Sequence, residues 1–140
     1  MNNELYKELE CALKKINIKI EKPSKSEINT IVRSIEKKYI RGNPRAWWTS
    51  MQKQPKIYEQ PDSQGHLKIL QIAPKTHEDV WLIADEDNEE KIILGLPIEL
   101  IPSVLEECYY FEYYITPKDL SWLLAENDHG DLLLIIDDNK

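Results

Sequence analysis

The sequence is poor in glycine and cysteine, and both shortages limit the chemistry it can carry. Four glycines in 140 residues leave little material for a glycine-rich phosphate-binding loop, and the spacings typical of a nucleophile elbow or a zinc site are missing. Cys11 and Cys108 are too few and too far apart for a disulfide framework. We therefore expect two reduced structural thiols and no metal or other cofactor.

Long apolar runs are also missing. No segment approaches the roughly 20 apolar residues that cross a bilayer. The opening stretch MNNELYKELE has no basic patch leading into an apolar run, which a signal peptide would need. These observations predict a cytoplasmic protein without a membrane partner.

The overall composition is that of an ordinary globular domain. Hydrophobic residues make up 41% and charged residues 31% of the chain, which is too apolar for a disordered protein. A chain of this length typically forms one domain and buries roughly two thirds of its unfolded surface. We expect a single domain over residues 1–140.

Charge is distributed unevenly along the chain. Residues 1–56 hold 13 Lys/Arg and 6 Asp/Glu, a net charge of +7, whereas residues 57–140 hold 5 and 19, a net charge of −14. Lysines on the solvent side of two helices explain the basic half. Acidic groups crowded on one part of a domain repel each other, so the acidic half indicates a basic partner.

Two amphipathic helices are predicted in the basic half. The second, over residues 25–41, begins with a capping box formed by Ser24 and Glu27 and ends before Gly42. The first covers residues 3–16 and places these apolar residues on one face: Leu5, Leu9, Ala12, Leu13 and Ile16.

A short helix over residues 44–52 is predicted to hold Trp47 and Trp48 side by side. Adjacent residues on a helix point about 100° apart, so the two indoles cannot share one surface. We expect one in the core and the other partly exposed.

From residue 55 onward the apolar residues follow the period of two that is typical of strands. The segment 97–108 is predicted to be a short helix with Pro102 in its first turn. The fold class is therefore α+β, with N-terminal helices packed on a mostly antiparallel sheet. Strands are predicted over residues 67–72, 80–84, 91–95, 109–115, 120–126 and 131–137.

The stretch AENDHGDLLLI, residues 125–135, has two interpretations. Its Glu126, Asp128, His129 and Asp131 could form a catalytic or metal site. However, Asn, Asp and Gly favour a tight hairpin between two apolar strands, and side chains along a hairpin tip alternate in direction rather than converge. We predict a turn, and a protein that is not an enzyme.

The stretch YYFEYYITPKDLSWLLAENDHGDLLLI and the segment DVWLIADEDNEEKIILG resemble the SUKH superfamily of small bacterial immunity proteins, named for the Smi/Knr type, or an allied family of small bacterial proteins. The likeness covers roughly residues 67–136. It implies a non-enzymatic protein that binds and neutralises a cognate secreted polymorphic toxin, often a nuclease or deaminase. A non-enzymatic adaptor or regulatory module of the same fold is the alternative.

The partner-binding residues that we predict are acidic side chains with aromatic anchors among them. A toxin that acts on nucleic acid presents a basic cleft, which an acidic surface can match. An aromatic residue can act as an anchor only if one face of its ring is exposed to solvent. For each of these residues, a position in the core is the competing interpretation. The predicted acids are Asp85, Glu86, Asp87, Glu89, Glu90, Glu126, Asp128 and Asp131, and the aromatic candidates are Trp81, Tyr110, Tyr114 and Trp122.

Two other function classes are weighed against this one. A small enzyme would need a converging polar pocket, which the sequence does not indicate. Net negative charge and basic residues spread around two helices argue against a nucleic-acid binder. Such a binder would use Lys14, Lys15, Arg33, Lys37, Lys38, Arg41 and Arg45.

Overall fold

A computed structural model describes residues 4–17, 20–42, 44, 46–59, 65–76, 78–85, 91–108, 111–127 and 130–137. The helices in these ranges are α1 (Glu4–Ile16), α2 (Lys25–Tyr39), α3 (Ile69–Ile72) and α4 (Ile101–Glu106), with 3₁₀ turns at Trp47–Thr49, Gly65–Lys68 and Ile98–Leu100. The strands are β1 (Lys56–Tyr58), β2 (Val80–Asp85), β3 (Ile92–Leu96), β4 (Glu112–Pro117), β5 (Trp122–Glu126) and β6 (Leu132–Ile136). None of the helices in these ranges has the length and apolar character to cross a membrane.

The strands form one sheet in the order β1-β6-β5-β4-β2-β3, and each neighbouring pair is antiparallel. The predicted α+β class with an antiparallel sheet is therefore confirmed. At the β3 edge, Glu21 and Gly95 exchange two backbone hydrogen bonds of 2.8 Å. The linker between α1 and α2 thus covers part of an edge that would otherwise offer unpaired backbone groups to another strand.

Helices cover both faces of the sheet because its strands are apolar on both sides. The first face packs against α1, α3 and α4 and contains Leu82, Tyr113 and Leu124. The second face packs against α2 and the Trp47 turn, and contains Ile83 and Tyr114. Successive strand residues point to opposite faces, so burial on both sides removes the polar alternation that an exposed face would show.

The two N-terminal helices lie close to their predicted bounds. The capping box of α2 is present: the backbone N–H of Glu27 donates to Ser24 Oγ at 3.2 Å, and the backbone N–H of Ser24 donates to Glu27 Oε1 at 2.9 Å. The helix ends at Tyr39, two residues earlier than predicted, because Ile40 adopts an extended conformation and forms a β-bridge with Met51.

The strand predicted over residues 67–72 is wrong, because this segment continues from a 3₁₀ turn into α3. Ile69 is fully buried, and Ile72 packs against the same core cluster. Leu67 and Leu70 are about half exposed. Ile69 and Ile72 are three residues apart, and so are Leu67 and Leu70, which is the spacing of residues on one face of a helix. A segment of six residues was too short to distinguish this spacing from the alternation of a strand. The edge strand β1 was not predicted, since three residues carry no readable period.

The helix predicted over residues 44–52 is present only as the 3₁₀ turn Trp47–Thr49, and the strand predicted over residues 109–115 is found as β4, which runs from Glu112 to Pro117. Three further local predictions are confirmed. Pro102 lies in the first turn of α4, where its missing N–H costs no helical hydrogen bond. Trp47 is buried and Trp48 is partly exposed, as their angular separation requires. The β2–β3 and β5–β6 hairpins pair as expected.

Candidate functional site

Carboxylates gather at one end of the sheet, and the strand register puts them there. Asp85 is the direct cross-strand partner of Glu112, and Glu126 is the partner of Leu132, which follows Asp131. Tyr58 also pairs with Leu132, so Glu59 leaves β1 at this same end. We call this surface the acidic end and define it by the described residues Glu59, Asp85, Glu112, Glu126 and Asp131.

The chain connects β2 to β3 at the acidic end, since β2 finishes at Asp85 and β3 starts at Ile92. That connection contains four of the acids predicted to bind a partner. They lie outside the described residues, as do two further predicted positions. The predicted partner-binding residues outside the description are Glu86, Asp87, Glu89, Glu90, Tyr110 and Asp128.

Asp85 is less accessible than a partner-binding acid was expected to be. Its side chain is only 10% exposed, and Lys91 Nζ lies 3.7 Å from Asp85 Oδ1. The same ammonium group lies 4.7 Å from the centre of the Trp47 ring. Carboxylates on directly opposed strand positions repel each other, so Lys91 offsets part of the repulsion between Asp85 and Glu112.

Glu126, which was predicted to bind a partner, is buried and therefore less accessible than that role requires. The hydroxyl of Tyr113 donates to Glu126 Oε1 at 2.5 Å. Burial raises the pKa of Glu126, while the Tyr113 hydrogen bond and the nearby His66 act in the opposite direction. A buried carboxylate without a donor would be costly, and Tyr113 supplies one.

A close approach of two backbones encloses the Glu126 carboxyl group. A Cβ atom placed on Gly65 would lie 2.6 Å from the carbonyl oxygen of Gly130 and 3.3 Å from Glu126 Oε1. Glycine is therefore required at residue 65. The adjacent His66 lies with Nε2 at 2.5 Å from Glu106 Oε2, which ties the 3₁₀ turn to α4. We call Tyr113, Glu126, His66 and Glu106 the polar cluster.

The segment between β5 and β6 closes a hairpin, as predicted. The backbone N–H of Asn127 donates to the Asp131 carbonyl at 3.0 Å, and the Asp131 N–H donates to Asn127 Oδ1 at 2.9 Å. Gly130 has a φ of 85°, a value that L side chains disfavour. Asp131 is half-buried. Asp128 and His129 are not among the described positions.

The described aromatic candidates belong to the core and not to an open surface. Trp81, Tyr114 and Trp122 are buried, so the condition for an anchor role, an open face, is not met. The hydroxyl of Tyr114 accepts from the backbone N–H of Trp48 at 3.2 Å, and burial raises its pKa. These side chains were ambiguous in the sequence because aromatic residues suit both a core and an interface.

Two acids at this end, Glu59 and Glu112, were not predicted. Glu112 interrupts an aromatic strand, which was the only local signal. Its neighbour Asp85 lies 27 positions away in the sequence and becomes adjacent only through the β2–β4 register. Glu59 could not be placed because β1 itself was missed.

The described residues also bear on metal binding, on the two cysteines and on the basic residues of a nucleic-acid binder. They contain no group of three or more His, Cys, Asp or Glu side chains that could hold a metal ion. Both cysteines are free, and burial raises the pKa of Cys108 to about 11.

The basic residues of the nucleic-acid alternative do not share one surface. Lys14 and Lys15 lie on α1, on the opposite side of the sheet from Arg33 and Lys37 of α2. The basic residues are thus divided between two surfaces.

The chain belongs to a family of unknown function, DUF6756, whose model matches residues 1–139. No curated protein and no solved structure matches the chain.

Proposed function

We propose that this protein is a non-enzymatic immunity protein, which binds a cognate bacterial toxin through the acidic end of its sheet and neutralises it. The observation that supports the proposal best is the direct pairing of Asp85 with Glu112 beside the acid-rich connection DEDNEE, residues 85–90. Acidic groups that the strand register gathers at one end of the sheet give that end a negative potential. A basic surface on a partner is complementary to it.

The resemblance to SUKH-type immunity proteins supports the same function. The residues that carry it form β2, β3 and the β4–β5–β6 meander, which together supply most of the acidic end. A toxin that acts on nucleic acid must attract phosphates with basic groups, and those groups are complementary to this surface.

Exposed acids and buried groups should play different parts in such a complex. Charges at the rim of an interface act mainly on the association rate and its salt dependence. At physiological ionic strength, screening limits this attraction to about 8 Å. The acids of the β2–β3 connection are therefore the first residues to test for steering. Asp85 and Glu126 have little exposed surface. They are therefore better suited to holding the structure of the acidic end than to contacting a partner.

The primary test begins with the neighbouring upstream reading frame: the immunity function requires that it encode a toxin-like C-terminal domain, and that domain is then co-expressed with this protein. We expect this protein to restore growth of the bacterial host and to co-purify with that domain. If it neither rescues growth nor co-purifies, the immunity function is wrong and the adaptor function takes its place.

A pair of matched double variants tests which surface is used. Glu89→Gln with Glu90→Gln removes two charges from the β2–β3 connection. The control, Glu78→Gln with Glu99→Gln, removes two exposed charges near the other end of β2 and β3. Both variants have the same net charge. The first should slow association with the toxin roughly ten-fold at low salt and flatten its salt dependence. Equal slowing by the control would exclude the acidic end as the specific surface.

A further inference from the structure

The two cysteines of the chain lie on neighbouring helical segments although they are far apart in the sequence. Cys11 is an exposed residue of α1, and Cys108 is a half-buried residue just after the end of α4. The two helices pack against each other on the first face of the sheet. The sequence gave no sign of this arrangement, because it depends on the packing of α1 against α4.

An ion pair holds the segment that carries Cys108 against the flank of α1 that carries Cys11. Lys15 Nζ lies 2.7 Å from Glu107 Oε1. Lys15 is one helical turn beyond Cys11, and Glu107 directly precedes Cys108. The backbone N–H of Cys108 donates to the carbonyl of Leu105 at 3.1 Å, which fixes this segment to the end of α4.

The flank of α1 that faces Cys108 includes Cys11. Glu8, Cys11 and Lys15 follow one another at three- and four-residue spacing, so they share one side of the helix. Burial, followed by the charges of the nearby Glu8, Glu107 and Cys11, raises the pKa of Cys108 to about 11. The residues one turn before and one turn after Cys11 therefore both face the segment 107–108, and Cys11 lies between them.

The two thiols differ in a way that suits a stepwise disulfide exchange. Cys11 is exposed, so a small molecule in solution can reach it. Cys108 packs against the core of the first face, and its raised pKa keeps its thiol protonated at neutral pH. Cys11 is therefore the thiol that reacts first, and Cys108 reacts with a sulfur atom that is already held beside it on α1.

We propose that Cys11 and Cys108 form a redox-sensitive lock, in which a low-molecular-weight disulfide oxidises the two thiols to a disulfide bond that ties α1 to α4. Cys11 loses its proton to water, and its thiolate attacks one sulfur of the small disulfide, so that the first small thiolate leaves and is protonated. Cys108 then loses its proton to water and attacks the Cys11 sulfur, and the second small thiolate leaves and is protonated. Two protein thiols are oxidised to one disulfide, and one small disulfide is reduced to two thiols.

The bond locks the helical cover of the first face. A disulfide between these two positions closes a loop that contains most of the chain, and a long closed loop strongly restricts the unfolded state. Both cysteines are free thiols in the structure, which therefore represents the reduced state of the lock. The proposal does not rest on the immunity function, because neither cysteine belongs to the acidic end.

The test treats the reduced full-length protein with oxidised glutathione and follows the products by intact mass spectrometry. We expect a glutathione adduct first, and then a monomer lighter than the reduced protein by two hydrogen atoms. Peptide mapping without reductant should show Cys11 linked to Cys108 in this monomer. A glutathione adduct that accumulates without this link, or a dimer linked through Cys11, would overturn the proposal.

A matched variant separates the position of Cys11 from the mere presence of an exposed thiol. Cys11→Ser with Glu10→Cys moves the thiol to the adjacent residue, which points about 100° away on the helix. In the native protein Glu10 faces Lys22, with Oε2 and Nζ 3.4 Å apart. The variant should still form the glutathione adduct but should form the internal disulfide roughly ten-fold more slowly, since cysteines that point apart cannot be bridged without backbone movement. Equal rates in the two proteins would contradict the proposed geometry.

Melting curves measured by circular dichroism test the lock itself. The oxidised native protein should melt roughly 10 °C above the reduced protein. Cys108→Ser, treated with oxidised glutathione in the same way, should show no such rise because it forms only the adduct at Cys11. An unchanged melting temperature after the internal disulfide has formed would show that the bond does not lock the fold, and the proposal would be wrong.

Discussion

The two faces of the sheet differ in the contacts that are buried beneath their helices. On the first face, beneath α1 and α4, a buried carboxylate pairs with a tyrosine hydroxyl, Tyr113 with Glu126. On the second face, beneath α2, the centre is an aromatic contact in which the rings of Trp47 and Tyr114 lie 5.0 Å apart. The first face thus places a titratable group inside the protein, whereas aromatic packing dominates the second.

The indole of Trp47 on the second face interacts with groups nearer the surface. Trp47 Nε1 donates to Glu36 Oε2 at 3.1 Å, and Lys91 Nζ lies over the same indole ring. Glu36 is only partly buried. An apolar strand pattern on both sides therefore does not produce two equivalent cores. We expect the stability of the first face to depend on pH and that of the second face to depend mainly on packing.

The largest expected effect is on the second face, from Trp47→Ala. The substitution removes a fully buried indole, its contact with Tyr114 and its hydrogen bond to Glu36. Losses of this kind cost about 3–5 kcal/mol, measured as the free energy of unfolding in urea. Trp48→Ala is the control. Trp48 is partly exposed, and its Nε1 has no hydrogen-bond partner among the described residues, so its loss should cost less than half as much. Equal costs would contradict the central place of Trp47.

A smaller effect is expected on the first face from Tyr113→Phe. It leaves the buried Glu126 without the donated hydroxyl, and a loss of this kind costs about 1–3 kcal/mol. The hydrogen bond favours the charged carboxylate, so the cost in unfolding free energy should be greater at pH 7 than at pH 4. A cost that does not change with pH would show that the hydroxyl acts by packing alone.

Glu126→Gln isolates the pH dependence of this cluster. Burial raises the pKa of Glu126 above its ordinary value of 4.5, so the folded state holds this proton more tightly than the unfolded state does. The contribution of Glu126 to stability is therefore greatest below pH 4.5 and is lost as the pH rises through the raised pKa. Compared with the native protein, the Gln variant should lose less stability over this interval. An identical slope in both proteins would contradict the raised pKa.

The smallest effect concerns the helix that covers the second face. Ser24→Ala removes the N-cap of α2 and should cost about 1 kcal/mol, measured by urea unfolding at pH 7. Ser26→Ala is a matched control within the first turn, because its side chain is exposed and does not cap the helix. It should cost distinctly less. Equal costs would mean that the capping box contributes nothing beyond helix propensity.

The sequence alone determined the features that depend on neighbouring residues. Ser24 and Glu27 marked the start of α2, because a capping box joins groups three residues apart. Asn127 and Gly130 marked the β5–β6 turn for a similar local reason. The separation of Trp47 from Trp48 followed from helix geometry. These elements, with the strand alternation, were enough to predict the α+β class.

Which acids become neighbours and which are buried depends on the tertiary fold. Asp85 and Glu112 become neighbours through strand register, and Glu126 is enclosed because Gly65 and Tyr113 approach it from distant parts of the chain. The segment 67–72 became helical because Ile69 and Ile72 both turn toward the first face. Burial and charge proximity depend on contacts between residues far apart in sequence, and a single local pattern carries no information about those contacts.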